Sequence, residues 1–320
     1  MRILVTGGTG FIGRALVGAL RARGDEVVLV SRNARSGEAG LAPWGAVAER
    51  VQEADAVIHL AGEPVADARW TPRRLELIRT SRVDTTRALA DAIVHSARRP
   101  RVFVSGSAVG IYGMRGGDAS PVGEDGEAGD DALARITKEW EAAANPAKAA
   151  GVRVVHPRTG VVLGRDGGAL AKLVTPFRWF VGGPVGDGEQ WVSWVHLRDV
   201  VRALLFAVSS ESLEGPMNVT APHPVTMNEL AKAIARALHR PSILRVPPLA
   251  LRLALGDGLA GALLTGQRVL PRKLEGAGFA FEFPDVQRAL LDLLGPAAGD
   301  AQSGDAGPGR ASGRADAAGE

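Results

Sequence analysis

Seven consecutive residues near the amino terminus, Gly7-Gly8-Thr9-Gly10-Phe11-Ile12-Gly13, have the types and spacing to hold a phosphate. They join an apolar run, Arg2–Thr6, to an amphipathic one, Phe11–Arg23. Gly7 permits a tight turn out of a strand, Gly10 lets a pyrophosphate approach the backbone, and Gly13 lets the following helix pack closely on a sheet. Thr9, Phe11 and Ile12 complete the loop, and the free N–H groups of the helix start face the anion. The loop lies in a βαβ unit of about thirty residues, the context in which this spacing marks a dinucleotide site.

The end of the second strand selects the cofactor. A unit that binds NAD places an Asp or Glu there for the ribose 2′-hydroxyl. Here the strand Glu26–Ser31 ends in Ser31-Arg32, with Asp25 and Glu26 at its wrong end. A guanidinium grips a 2′-phosphate in a bidentate fashion, so Arg32 predicts NADP(H). Other chemistries find little support. The chain has no cysteine, which excludes disulfides and thiolate catalysis. Histidines 59, 95, 156, 196, 223 and 239 form no close pair of the kind zinc sites use, so no metal is expected. His196 and Asp199 flank a helix start, where Asp199 is expected to serve the first turn. Trp179, Trp191 and Trp194 are candidates for a cleft wall or for core.

These residues need a scaffold. Of 320 residues 46% are hydrophobic, and 38 basic against 35 acidic residues leave a net charge of +3. Arg73-Arg74 and Arg98-Arg99 are short and isolated, so no nucleic-acid partner is expected. No apolar stretch is long enough to span a bilayer and no signal peptide opens the sequence, so a cytoplasmic protein with no membrane partner is expected. Strands of continuous Val/Ile/Leu character (2–6, 26–31, 56–60, 101–105, 152–156) alternate with helices (11–23, 71–97, 131–150), the pattern of a parallel sheet covered on both faces. Past Gly164, Gly, Pro and Trp become frequent. A helix (198–209), a short strand (217–220) and a Thr226-x-x-Glu229 capping box opening a helix to about His239 lead into short helices around proline turns. From Pro296 the composition is that of a disordered tail. The expected fold is α/β: a Rossmann-like doubly wound parallel sheet over 1–165, completed by about 191–220. A smaller mixed α/β C-terminal substrate lobe comprises 166–190 and 221–295, and the tail is 296–320.

The motifs resemble the extended short-chain dehydrogenase/reductases, the nucleotide-sugar epimerase and dehydratase superfamily, in Gly7-x-x-Gly10-x-x-Gly13 and in His59-Leu60-Ala61-Gly62 closing a strand. They are more similar to an atypical branch, the epimerase family proteins with a C-terminal domain of unknown function. That likeness runs through Ala61-Gly62-Glu63-Pro64, Arg69-Trp70, Ser81-Arg82-Val83, Lys138-Glu139-Trp140-Glu141, Arg158-Thr159-Gly160-Val161-Val162-Leu163-Gly164, Gly182-Gly183-Pro184, Ser193-Trp194-Val195-His196, Ala221-Pro222 and Gly266-Gln267-Arg268-Val269-Leu270-Pro271. The resemblance implies NADP(H) in the cleft, with Ser31, Arg32, Leu60, Ala61, Gly62, Arg82, Ser105 and Val162 as further contacts. It also implies a small-molecule substrate between the lobes, nucleotide-sugar-like or a carbonyl compound, and a homodimer through helices 71–97 and 131–150. One departure is Thr137, where relatives usually carry a cysteine.

Most of the wider superfamily works with a Tyr-x-x-x-Lys pair, whose phenol moves a proton as the hydride moves. This chain has one tyrosine, Tyr112, and four residues on stands Gly116. Alignment by Trp140-Glu141 puts Leu133 and Thr137 in the dyad positions, and neither can do that chemistry. Ser107, where the superfamily keeps a hydroxyl near the reacting carbon, and Tyr112 on the same loop are the remaining candidates. An atypical NADP(H) epimerase or oxidoreductase is therefore expected, with a non-catalytic NADP(H) sensor or scaffold as the alternative.

Overall fold

The computed structural model describes residues 1–31, 41–116 and 118–295. The tail expected from Pro296 onward lies outside the described residues, as does Arg32. Along the chain run β1 (Arg2–Thr6), α1 (Phe11–Ala22), β2 (Glu26–Ser31), β3 (Leu41–Pro43), α2 (Val47–Glu53), β4 (Ala56–His59), α3 (Pro72–His95), β5 (Val102–Ser105), β6 (Ser107–Ala108), β7 (Pro121–Val122), α4 (Ala132–Ala142), α5 (Asn145–Ala149), β8 (Arg153–Thr159) and β9 (Val161–Gly164). The second half adds α6 (Gly168–Arg178), β10 (Trp191–Val192), β11 (Trp194–His196), α7 (Leu197–Ser209), β12 (Gly215–Val219), β13 (Val225–Thr226), α8 (Met227–Leu238), α9 (Pro248–Leu255), α10 (Asp257–Leu264), β14 (Arg268–Val269), α11 (Arg272–Gly276) and α12 (Val286–Leu294).

The central sheet has the order β12-β8-β5-β4-β1-β2-β3, with β6 also paired to β8. Every pairing in it is parallel. Alternation along β1 shows how both faces are buried. Ile3 and Val5 join a core that includes Leu16 and Leu20 of α1 and Leu204 of α7. Leu4 joins the opposite core, with Leu89 and Ile93 of α3 and Phe103 of β5. The fold is thus a Rossmann-like doubly wound sheet. Strand order reverses between β1 and β4, and the crevice outside the carboxyl ends of strands at such a point is where ligands bind. A separate core, with Leu170, Phe177, Trp194, Leu230, Ile234 and Leu290, holds the C-terminal elements together.

One sequence expectation needs correction and one needs extension. The helix expected over 131–150 is two helices, α4 and α5, broken at Ala143–Ala144, with Pro146 in the first turn of α5. Proline lacks the N–H that an unbroken helix would need there. Asp199 is the acidic residue in the first turn of its helix, as expected, and it does more than serve that turn. His196 caps α7, accepting from the Arg198 N–H, while the fully buried Asp199 carboxylate accepts the N–H groups of Glu282 and Phe283 at 2.8 Å each. It pins the C-terminal segment to the Rossmann core. The Thr226–Glu229 capping box is formed in full.

Candidate functional site

The glycine loop is built so tightly that side chains are excluded from it. Gly7 has φ +73°, and a Cβ there would lie 2.6 Å from the Ala61 nitrogen and the Leu60 carbonyl carbon. The turn after β1 is thus pressed on the turn after β4, and Leu60 donates its N–H to the Thr6 carbonyl. A Cβ at Gly13 would lie 2.1 Å from the Gly7 carbonyl oxygen. Helix α1 starts at Gly10 with no side-chain cap and no acid in its first turn. Among the described residues, the N–H groups of Phe11, Ile12 and Gly13 have no protein acceptor. Four unpaired donors are what any helix start leaves; here the sequence supplies nothing to satisfy them, which suits an anion. The Phe11 ring turns away from the loop onto the β9–α6 turn, where a Cβ at Gly164, Gly167 or Gly168 would meet it at 2.6–3.0 Å. Thr9 is exposed, and its carbonyl accepts from Arg14.

Around this loop gather the other residues expected to touch a cofactor. Ser31 closes β2 beside Pro43 of β3. His59 is fully buried, with its two ring nitrogens 2.5 Å from Thr6 Oγ1 and 3.1 Å from Thr85 Oγ1. Burial, aided by the charge of Arg82, pushes its pKa down to about 3, so the ring is neutral. Arg82 passes under Gly62, whose absent Cβ leaves room for the guanidinium 3.1 Å away. It stacks over Trp140 and donates to the Ile78 carbonyl, and the Glu63 carboxylate is the opposite charge that acts on it. Desolvation lowers its pKa to about 10. Ser105 ends β5 fully buried, and its Oγ has no partner among the described residues. Val162, partly buried, pairs with Val195.

Ser107 and Tyr112 belong to one buried network. Ser107 Oγ donates to Glu141 at 2.5 Å. Arg158 grips the same carboxylate with Nε and Nη2 at 2.8 and 2.9 Å, and its Nη1 donates to the Tyr112 hydroxyl at 2.9 Å. That hydroxyl donates in turn to Asn218 Oδ1 at 2.7 Å. Tyr112 is 1% exposed. Burial raises its pKa by more than Arg158 and the hydrogen bonds lower it, which keeps the phenol protonated. Burial also pushes Glu141 up, but Arg158 outweighs it and holds the carboxyl below its ordinary value. At the dyad positions Leu133 is partly buried and the buried Thr137 hydroxyl is turned back onto the Leu133 carbonyl at 2.8 Å. Lys138 is exposed. None of Leu133, Thr137 and Lys138 thus stands as a free acid or base in this network, while the buried His156 beside Glu141 keeps a ring nitrogen, Nδ1, with no partner among the described residues.

The three tryptophans separate. Trp194 is core, Trp179 is 76% exposed, and Trp191 is partly buried under Arg268. The Arg268–Trp191 contact joins residues 77 apart, and no local sequence signal announces it. Among the described residues no group of three or more potential ligands could hold a metal ion, and no helix is long and apolar enough to cross a membrane.

A parallel sheet whose strand order reverses at a glycine loop with an uncapped helix start defines a nucleotide-binding α/β protein. Residues 3–220 match the NAD dependent epimerase/dehydratase family, and the chain belongs to it. Residues 246–293 match a domain of unknown function, DUF1731. Among its relatives, the epimerase family protein YfhF of Bacillus subtilis (strain 168) is 38% identical over 302 residues, covering 92% of this chain and 98% of that protein. The epimerase family protein SDR39U1 of Mus musculus is 38% identical over 300 residues, covering 92% and 100%. The crystal structure of human epimerase family protein SDR39U1 (isoform2) with NADPH superposes with a TM-score of 0.85 at 35% identity, covering 92% of this chain and 99% of that one.

Proposed function

We propose that this protein binds NADP(H) across the carboxyl ends of β1 and β4 and acts as an atypical epimerase or oxidoreductase on a small molecule between a Rossmann domain (1–165 with 191–220) and a substrate lobe (166–190 and 221–295). The observation that carries this reading is the uncapped start of α1 at Gly10, with Gly7 and Gly13 leaving no room for a side chain. Phe11, Ile12 and Gly13 would hold the pyrophosphate through their N–H groups. The Arg82 guanidinium under Gly62 and the buried Ser105 hydroxyl, which has no partner among the described residues, suit a polar, anionic ligand further along the crevice. The human relative solved with NADPH supports the choice of cofactor, and Arg32 supplies the sequence argument for a 2′-phosphate. When bound, NADP(H) supplies or accepts a hydride. The chain's own contribution is to position and to shield, since the superfamily's Tyr-Lys pair is replaced by Leu133 and Thr137.

That replacement favours a second reading, a sensor or scaffold that holds NADP(H) without turning substrate over. General acid–base help is worth about 10²–10⁴-fold, so an enzyme without it would be slow rather than inert. Calorimetry with NADPH tests the first claim, and failure to bind removes both readings. NADPH absorbance followed against nucleotide sugars and carbonyl compounds separates them: sustained oxidation of any of them ends the sensor reading.

A further inference from the structure

Among the described residues Arg268 is a cation with no ion-pair partner. Among the described residues its guanidinium makes no hydrogen bond and no ion pair; its one partner is the Trp191 ring, with Cζ 4.8 Å from the ring centroid. Its Nε is sealed from solvent and unsatisfied. Charges withdrawn from water are ordinarily paired or hydrogen-bonded: Arg158 has Glu141 and Arg153 donates to three carbonyls, and Arg2, Arg74 and Arg115, whose Nε atoms are likewise sealed and without a hydrogen bond, each have an ion pair through another nitrogen.

The backbone around Arg268 is firmly held. Arg268 and Val269 pair in parallel with Pro121 and Val122. Val269 is fully buried against Ile111, Tyr112 and Val122, so Arg268 projects from the other face of the strand. Ser193 Oγ donates to the Gln267 carbonyl at 2.6 Å and accepts the Val269 N–H at 2.9 Å. Gln267 in turn bonds the carbonyl of Gly113, the residue after Tyr112. Overhead, α10 closes on the same loops. A Cβ at Gly261 would lie 3.6 Å from the Met114 sulfur, and one at Gly258 3.0 Å from Trp70. A strand hydrogen-bonded on both sides therefore presents a planar cation, with no ion-pair partner among the described residues, at the seam between the Rossmann loops and the C-terminal segment.

We propose that Arg268, seated on Trp191, is the residue that binds an anionic group of the substrate, a carboxylate or a phosphate, in the interlobe cleft. This rests on the reading of that cleft as a substrate site. A guanidinium fork matches either group with two parallel hydrogen bonds, and stacking on an aromatic ring orients the fork while leaving its edge free. Neutral carbonyl compounds would gain nothing from it, so the substrate class narrows to organic anions.

The test is a titration of NADPH-saturated full-length protein with inorganic phosphate and, separately, succinate, read by tryptophan fluorescence and calorimetry. Saturating NADPH keeps the added anions out of the cofactor's phosphate sites. Saturable binding of at least one anion is expected, weakened about ten- to a hundredfold in Arg268→Gln. NADPH affinity should be unchanged, and the fluorescence response should be absent in Trp191→Phe. Arg268→Lys keeps the charge but loses the fork, so it should retain phosphate better than succinate, and it serves if the glutamine variant does not fold. Equal titration of the wild type and either Arg268 variant, or no saturable anion binding in the wild type, overturns the proposal. A wild type that binds anions at Arg268 but no NADPH would refute the cofactor reading and leave this one standing.

Discussion

Arg158 holds Glu141 in a two-pronged grip, Nε to Oε1 at 2.8 Å and Nη2 to Oε2 at 2.9 Å, which ties β8 to α4 beneath the candidate site. Both side chains are largely buried, at 9% and 14% exposed. Removing one member of such a pair strands the other charge, at a cost of about 3–5 kcal/mol, whereas removing both is far milder. Arg158→Leu should therefore lower stability by roughly that amount in urea unfolding, and the double variant with Glu141→Gln should recover part of the loss. A double variant no better than Arg158→Leu alone would show that the pair is not the source of the cost.

Gly13 and Gly18 lie on the same helix in opposite circumstances. A Cβ at Gly13 meets the Gly7 carbonyl at 2.1 Å, while one at Gly18 meets nothing within 4 Å. Gly18→Ala should raise stability by about 0.5–1 kcal/mol through helix propensity alone. Gly13→Ala must displace the loop, so NADPH binding should fall by more than about tenfold. Unchanged binding in Gly13→Ala would remove the cradle from the account.

Arg32→Ala tests the choice of cofactor. Loss of a charge-assisted contact to the 2′-phosphate should weaken NADPH about ten- to a hundredfold and leave NADH nearly untouched. An equal loss for both cofactors would assign Arg32 another role.

Acid should destabilise the fold before its carboxylates titrate. Burial depresses the pKa of His59 to about 3, and it lowers those of His156 and His196 against the partial opposition of Glu141 and Asp292 respectively. The unfolded chain therefore takes up protons below about pH 6.5 that the folded chain refuses. Stability is complete above that pH and falls as pH drops toward the folded value, by about 1.4 kcal/mol per pH unit for His59 alone. The other two add in the same direction. Carboxyls such as Glu141 and Asp55, held below their ordinary values, extend the loss at lower pH. Urea unfolding at pH 7, 6 and 5 should show this slope, and His59→Gln should flatten it. A slope unchanged by that variant would exclude His59 as its origin.

What was legible in the sequence follows the reach of each interaction. The strand Glu26–Ser31, the Thr226–Glu229 box and the glycine loop announce themselves within a few residues, and the structure has all three where the sequence puts them. The three-residue strand Leu41–Pro43 carries too short a pattern to register. The break between α4 and α5 hides in an alanine-rich run with good helix propensity, where only Pro146 hints at it. The duties of Asp199, Tyr112 and Arg268 depend on partners 83, 106 and 77 positions away, and no local periodicity encodes those distances. Thus the glycine loop, built from consecutive residues, could be anticipated. The Arg158–Tyr112 network and the Arg268–Trp191 contact, assembled from distant segments, required the fold.

The seat of Phe11 carries one more implication. Its ring is wedged against Gly164, Gly167 and Gly168 while its backbone opens the helix at the phosphate cradle. A glycine-rich loop would ordinarily wander in solution, and a ligand would have to still it at an entropic cost. Here an aromatic side chain packs the loop against the β9–α6 turn, and a ligand that docks on a loop already held in place has less ordering to impose. The same contact seats the start of α6 on the start of α1, so under the proposed function the turn that would cradle the phosphates and a segment of the proposed substrate lobe share one aromatic support.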